Sequence, residues 1–158
     1  MQNILPFPEG KFPIKYLGVP LISTSLRSED CTILKEKNVH RIVSWSNTTL
    51  SYGGRALLIQ SVLFSIQVYW STIFILPSKV IKNIECTLMA FLWSGPELKH
   101  SGAKVKWIHL CYPTEEGGLG FKGIKVSNRA AMLKHLWALC MKADTLWIKW
   151  VHTYIIKD

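Results

Sequence analysis

Between Arg55 and Lys79 the chain runs for 23 residues without a charged side chain. As a helix, a stretch of that length would reach about 35 Å, enough to cross a bilayer. It is therefore either a membrane span or the middle of a protein core. Its polar residues discriminate between the two. Those from Gln60 to Thr72 (Gln60, Ser61, Ser65, Gln67, Ser71 and Thr72) gather within roughly half of a helical wheel. Lipid gives a helix no reason for that bias. Leu57, Phe64 and Val68 fall in the same half, so that side is expected to be partly buried as well. The flanking Arg55 and Lys79 set no inside/outside asymmetry. A core helix is the expectation, and a single-pass membrane protein built on residues 56–78 is the alternative.

On the N-terminal side, Pro6, Pro8, Pro13 and Pro20 block helix and leave one or two short strands around Lys15-Tyr16-Leu17-Gly18. A helix is expected from Ser28, with Glu29 and Asp30 in its first turn, where the helix dipole favours acid. Cys31, Leu34, Val39, Ile42, Val43 and Trp45 share one side of it, and Lys37, His40 and Arg41 another. Residues 47–54 read as a polar connection. After Pro77, with Ser78 as the expected N-cap, Val80, Ile81, Ile84, Leu88, Phe91 and Leu92 form one apolar face, ended by Gly95-Pro96. Residues 97–127 read as irregular. Gly117-Gly118-x-Gly120 lacks the Lys-Ser/Thr of a phosphate loop and reads as a turn needing positive φ. Asn128 is the expected cap of a helix reaching Lys142, with Met132, Leu133, Leu136, Trp137, Leu139 and Cys140 on one side. Asp144 is the expected cap of a last helix. There Trp147, Trp150, Val151 and Tyr154 are spaced as a core stripe.

The chain is 158 residues long, one domain's worth, with 49% hydrophobic and only 18% charged residues, which excludes disorder. Its formal charge of +9 is spread evenly: +4 over residues 1–96 and +5 over 97–158. A folded domain this basic is suited to a polyanion, a nucleic acid or an anionic membrane. Lys104-Val105-Lys106-Trp107 and Trp147-Ile148-Lys149-Trp150 interleave charge with aromatic rings, as phosphate contacts and base stacking require. Four cysteines without a Cys-x-x-Cys pair, and no signal peptide, point to free thiols in a reducing compartment. His109-x-Cys111 and His135-x4-Cys140 lack paired metal-ligand spacing. The ten acidic residues include no Asp-Asp pair, so convergent carboxylates for two-metal phosphoryl transfer are missing.

The motifs follow a family order. Lys15-Tyr16-Leu17-Gly18-Val19-Pro20-Leu21 resembles the "KYLGVPL" segment of plant LINE-type (non-LTR) retrotransposon reverse transcriptases. Further matches are Arg41-Ile42, Trp45, Leu50-Ser51-Tyr52-Gly53-Gly54-Arg55, Leu58-Ile59-Gln60-Ser61-Val62-Leu63, Tyr69-Trp70 and Leu76-Pro77. Ile84-Glu85, Phe91-Leu92-Trp93-Ser94-Gly95, Trp107, Cys111-Tyr112-Pro113, Glu116-Gly117-Gly118-Leu119-Gly120, Asn128-Arg129-Ala130, Leu146-Trp147 and Trp150 continue the series. The resemblance runs from about residue 11 to 152, and its specificity lies in the order of the matches.

The resemblance implies a mainly α fold: a palm-edge, primer-grip β segment over residues 1–25, then a thumb-like bundle of about five helices over 26–158. The family's catalytic Asp-Asp box precedes the matched region and its zinc-binding Cys/His segment follows it. The endonuclease and the occasional ribonuclease H domain lie outside the match. The implied role is gripping an RNA/DNA template–primer by its backbone, with no polymerase chemistry in this chain alone and no cofactor or small-molecule substrate. Lys15 and Gly18 would lie in the grip. Arg41, Arg55, Lys104 and Lys106 are the candidates for phosphate contacts, and Arg55 could equally cap a neighbouring helix or hold the Gly53-Gly54 turn. A decayed element's product with no selected role is the other alternative.

Overall fold

A computed structural model describes residues 14–22, 24–46, 49–99 and 104–157. The protein is mainly α. The extended start expected before residue 14 lies outside the described residues, as do Asn47 and His100.

The chain enters the described region as a hairpin. β1 (Ile14–Tyr16) pairs antiparallel with β2 (Val19–Leu21), with Tyr16 opposite Val19 and Lys15 opposite Pro20. Leu17 (φ 50°) and Gly18 (φ 81°) make the two-residue turn. Two consecutive positive-φ residues give a twist that matches the strands, and glycine meets this at least cost. Val19 is buried in the helices' core, and the Tyr69 hydroxyl donates to the Leu17 carbonyl at 3.1 Å. The β segment is thus anchored on the bundle.

The first helix, α1, spans Thr32–Val43 and begins four residues later than the sequence suggests. The segment from Ser28 is a turn: Asp30 accepts from the Arg27 amide (2.8 Å), and the Thr32 hydroxyl donates to the Glu29 carbonyl (2.7 Å). These local bonds compete with helix for the same groups. Cys31, Leu34 and Ile42 are buried as their spacing suggests, but Val39 and Val43 are exposed and Asn38 is buried.

The uncharged segment is helical as far as Ser71, in a rod that starts earlier than expected, at Tyr52, and ends before Pro77 is reached. α2 (Tyr52–Leu58), a five-residue π-helical stretch (Ile59–Leu63) and α3 (Phe64–Ser71) keep right-handed helical angles through both junctions, forming one rod of about 30 Å. Gly53 and Gly54, expected in a connection, occupy its first turn, because the Ser51 hydroxyl caps it by accepting from the Gly54 amide at 3.1 Å. Around the rod pack α1, α4 (Ser78–Ser94) and α6 (Ile124–Cys140). Trp70 and Leu63 are fully buried, and so is Gln67, which donates to the Asn38 side chain at 2.8 Å. The segment is a core helix, and among the described residues no helix is long and apolar enough to cross a membrane.

In α4 all six residues of the predicted apolar face are buried. Pro77, not Ser78, holds the N-cap position, and Gly95 (φ 75°) ends the helix. The stretch expected to be irregular holds one short helix, α5 (Trp107–Leu110), a 3-10 turn over Thr114–Glu116 and, from Ile124, the first turn of α6. Gly117 and Gly120 take positive φ, as a tight turn requires. Gly118 is needed for another reason: a Cβ there would lie 2.0 Å from the Tyr112 carbonyl oxygen.

α6 begins four residues before Asn128, so Asn128 is not its cap. It is a buried interior residue that organises another turn: its Oδ1 accepts from the Leu76 amide (2.9 Å), and its Nδ2 donates to the carbonyls of Ser71 (3.1 Å) and Phe74 (2.7 Å). α7 (Leu146–Val151) is capped by Thr145, not Asp144, and continues as a π-helical turn over His152–Ile156.

Candidate nucleic-acid interface

The hairpin turn leans on the middle of α1. A Cβ at Gly18 would stand 2.8 Å from Lys37 Nζ, so the ammonium lies directly over the glycine. Lys37 and Arg41 are one turn apart on α1, both exposed, and i,i+4 spacing places such side chains side by side on one face. Arg41 in turn sits over the Trp45 ring at 5.5 Å, and Trp45 packs on the buried Phe91 of α4 at 5.6 Å. The row Gly18, Lys37, Arg41 and Trp45 therefore runs along α1 from the hairpin turn toward the α4 end of the bundle. Lys15 is placed by its backbone alone, in β1.

Arg55 continues this end of the molecule. It lines an open cleft of about 790 Å³ with Val43, Ser46, Ser51, Ser94 and Glu97. Its Nη1 lies 3.1 Å from where a Cβ of Gly95 would be. The guanidinium thus covers the C-terminal end of α4, where the helix dipole and orphan carbonyls favour a cation. This position is compatible with the helix-capping role that the sequence leaves open to Arg55 beside phosphate contact. Glu97 and Lys99 form an ion pair at 2.6 Å, which lowers the Glu97 pKa and raises that of Lys99.

Lys104 and Lys106 are exposed just before α5. Trp107, next in sequence, is nine-tenths buried against Phe121 at a centroid distance of 5.4 Å. It walls a cleft of about 390 Å³ with Gln60, Phe64 and Lys122. Trp107 is a core residue, so the motif's ring is not available for stacking, while Lys104, Val105 and Lys106 are exposed. The reverse holds for the last helix: Trp147 and Trp150, expected in the core, are 48% and 52% exposed, while Ile148 and Val151 take the buried positions. Periodicity identified the stripe but not which of its edges has a partner.

The sequence candidates therefore fall into an α1 row joined to the hairpin turn, an arginine at the end of α4, and a lysine pair before α5. Lys37 joins the α1 row although motif matching does not single it out. Its signal was available, since it sits one turn before Arg41 on the same polar face. No three His, Cys, Asp or Glu residues gather as a possible metal site among the described residues.

The chain is similar to an Arabidopsis thaliana protein named "Putative ribonuclease H protein", with 30% identity over 129 residues. The match covers 82% of this chain but 21% of the relative, so the chain spans about a fifth of that protein's length. No protein-family model matches the chain, and no solved structure does.

Proposed function

We propose that this chain is the primer-grip and thumb region of a LINE-type reverse transcriptase, and that it holds a template–primer duplex by its sugar–phosphate backbone. The observation that supports it most is the row formed by the hairpin turn, Lys37 and Arg41. In the order of the family's motifs this is where a primer-grip strand would meet the first thumb helix. A +9 chain with an exposed basic row offers phosphates what they need. The ordered motif series supports the assignment, and the relative's name is compatible with it, because these reverse transcriptases sometimes carry a ribonuclease H domain. Neither polymerase nor ribonuclease H chemistry is assigned to this chain, since both use convergent carboxylates around two metal ions.

Fluorescence anisotropy with an RNA–DNA hybrid tests this reading. Each phosphate contact contributes about one unit to the slope of log affinity against log salt. Replacing Lys37 and Arg41 together by Ala is expected to lower the slope by about two units without altering sequence preference. An unchanged slope would remove the α1 row from the interface. No binding by the folded native chain at low salt would leave it an inert fragment.

A further inference from the structure

The last two helices carry an aromatic surface that the bundle leaves open. Trp147, Trp150 and Tyr154 follow one another at i, i+3 and i+7 along one edge of α7 and the π-helical turn beyond it. They are 48%, 52% and 67% exposed. The rings of Trp150 and Tyr154 stand 5.8 Å apart, inclined by 34°. Trp147 meets the His135 ring of α6 edge-on at 5.7 Å, and the two border a cleft of about 560 Å³ that Thr72, Met132 and Ile148 help to line. Half-exposed indoles are costly to leave in water, so the edge is suited to an occupant.

Charge selects that occupant. Residues 124–157 contain six Lys or Arg and a single acid, Asp144, a net of +5. Asp144 is itself engaged in an ion pair with Lys149. A second copy of the chain would bring two such surfaces together, and like-charge juxtaposition opposes that. A polyanion with flat apolar faces satisfies both features at once. Unpaired nucleotides have this chemistry: phosphates for the lysines and bases that stack on Trp and Tyr whatever their sequence.

We propose that the Trp147-Trp150-Tyr154 edge is a stacking platform for single-stranded nucleic acid, separate from the α1 row that would hold the duplex. The proposal rests on the reading that this chain meets nucleic acid, but it can fail or stand independently. A duplex keeps its bases covered and has nothing to offer these rings. A single-stranded template extension does.

The test compares two probes on the full chain, a labelled oligothymidylate of about twelve nucleotides and a blunt RNA–DNA hybrid. The W150A/Y154A pair is expected to weaken oligothymidylate binding at least tenfold and to leave hybrid binding within about twofold, since stacking on aromatic rings holds unpaired bases and not paired ones. The W150F/Y154F pair keeps flat rings and is expected to restore most of the affinity. Oligothymidylate is also expected to quench the native chain's tryptophan emission. Unchanged oligothymidylate binding in the alanine pair would overturn the platform, as would equal losses on both probes, no rescue by phenylalanine or no quenching. So would a native dimer that the alanine pair dissociates, or capture by anionic vesicles that oligothymidylate does not compete away. Ring-dependent oligothymidylate binding without hybrid binding would uphold the platform and sink the duplex grip. No binding to either probe would sink both.

Discussion

At the scale of single residues, Asn128 ties α6 to the turn after α3 through three side-chain hydrogen bonds. Two backbone carbonyls and one amide of the turn after α3 depend on it, and it is buried. Removing it leaves those groups unsatisfied away from water. Asn128→Ala is therefore expected to destabilise the fold by about 2–4 kcal/mol in urea unfolding, and Asn128→Asp cannot replace it because a carboxylate donates nothing. Neither its burial nor its long-range partners could be read from the sequence. An Asn at the edge of an apolar run resembles a cap, and only tertiary packing shows that the helix had already begun. Glu85 on α4 makes a pH-dependent contribution. Burial pushes its carboxyl up from the ordinary 4.5, with Lys82 pulling the other way. The folded chain then holds this proton more tightly than the unfolded chain, so ionisation of Glu85 opposes folding. The penalty is absent at a pH below about 4.5, where both states are protonated, and is complete once pH has risen through the folded value. Glu85→Gln should accordingly melt higher than the native chain at neutral pH, with the gain shrinking as melts are repeated in acid.

At the scale of elements, sequence and structure agree where periodicity is complete. The six apolar residues of α4 repeat at helical spacing, and all six are buried. They differ where one local signal outweighs another. Gly53-Gly54 suggests a loop, yet the Ser51 cap draws both glycines into α2. In the basic row, Arg41 was legible from its motif and Lys37 from its place one turn earlier on the same face; what the sequence does not show is that the hairpin turn lies against Lys37. The loop from α5 to α6 carries a further prediction. Gly118 lies so close to the Tyr112 carbonyl that any side chain must displace backbone, and the amides of Leu119 and Phe121 both return to the Leu110 carbonyl beside it. Gly118→Ala is expected to cost about 2 kcal/mol or more, and Gly117→Ala less, since open space surrounds that residue and only its positive φ opposes the change. Equal melting temperatures for the native chain and Gly118→Ala would show that the loop gives way freely.

At the scale of the molecule, one core links the hairpin to the bundle, through Val19 among the buried apolar residues and through Tyr69 on the Leu17 carbonyl. Under the proposed function, a hairpin fixed to a helical bundle would act as one rigid clamp on a duplex, which loose segments could not do. In the proposed role the clamp recognises backbone and not bases. The most direct test of this is the affinity of the full chain for two RNA–DNA hybrids of unrelated sequence across a salt series. With on the order of four to six phosphate contacts, affinity is expected to fall by roughly a hundredfold to two-thousandfold between about 50 and 200 mM salt, in parallel for both hybrids. Affinity that is independent of salt, or that differs by orders of magnitude between the two sequences at every salt concentration, would contradict the account.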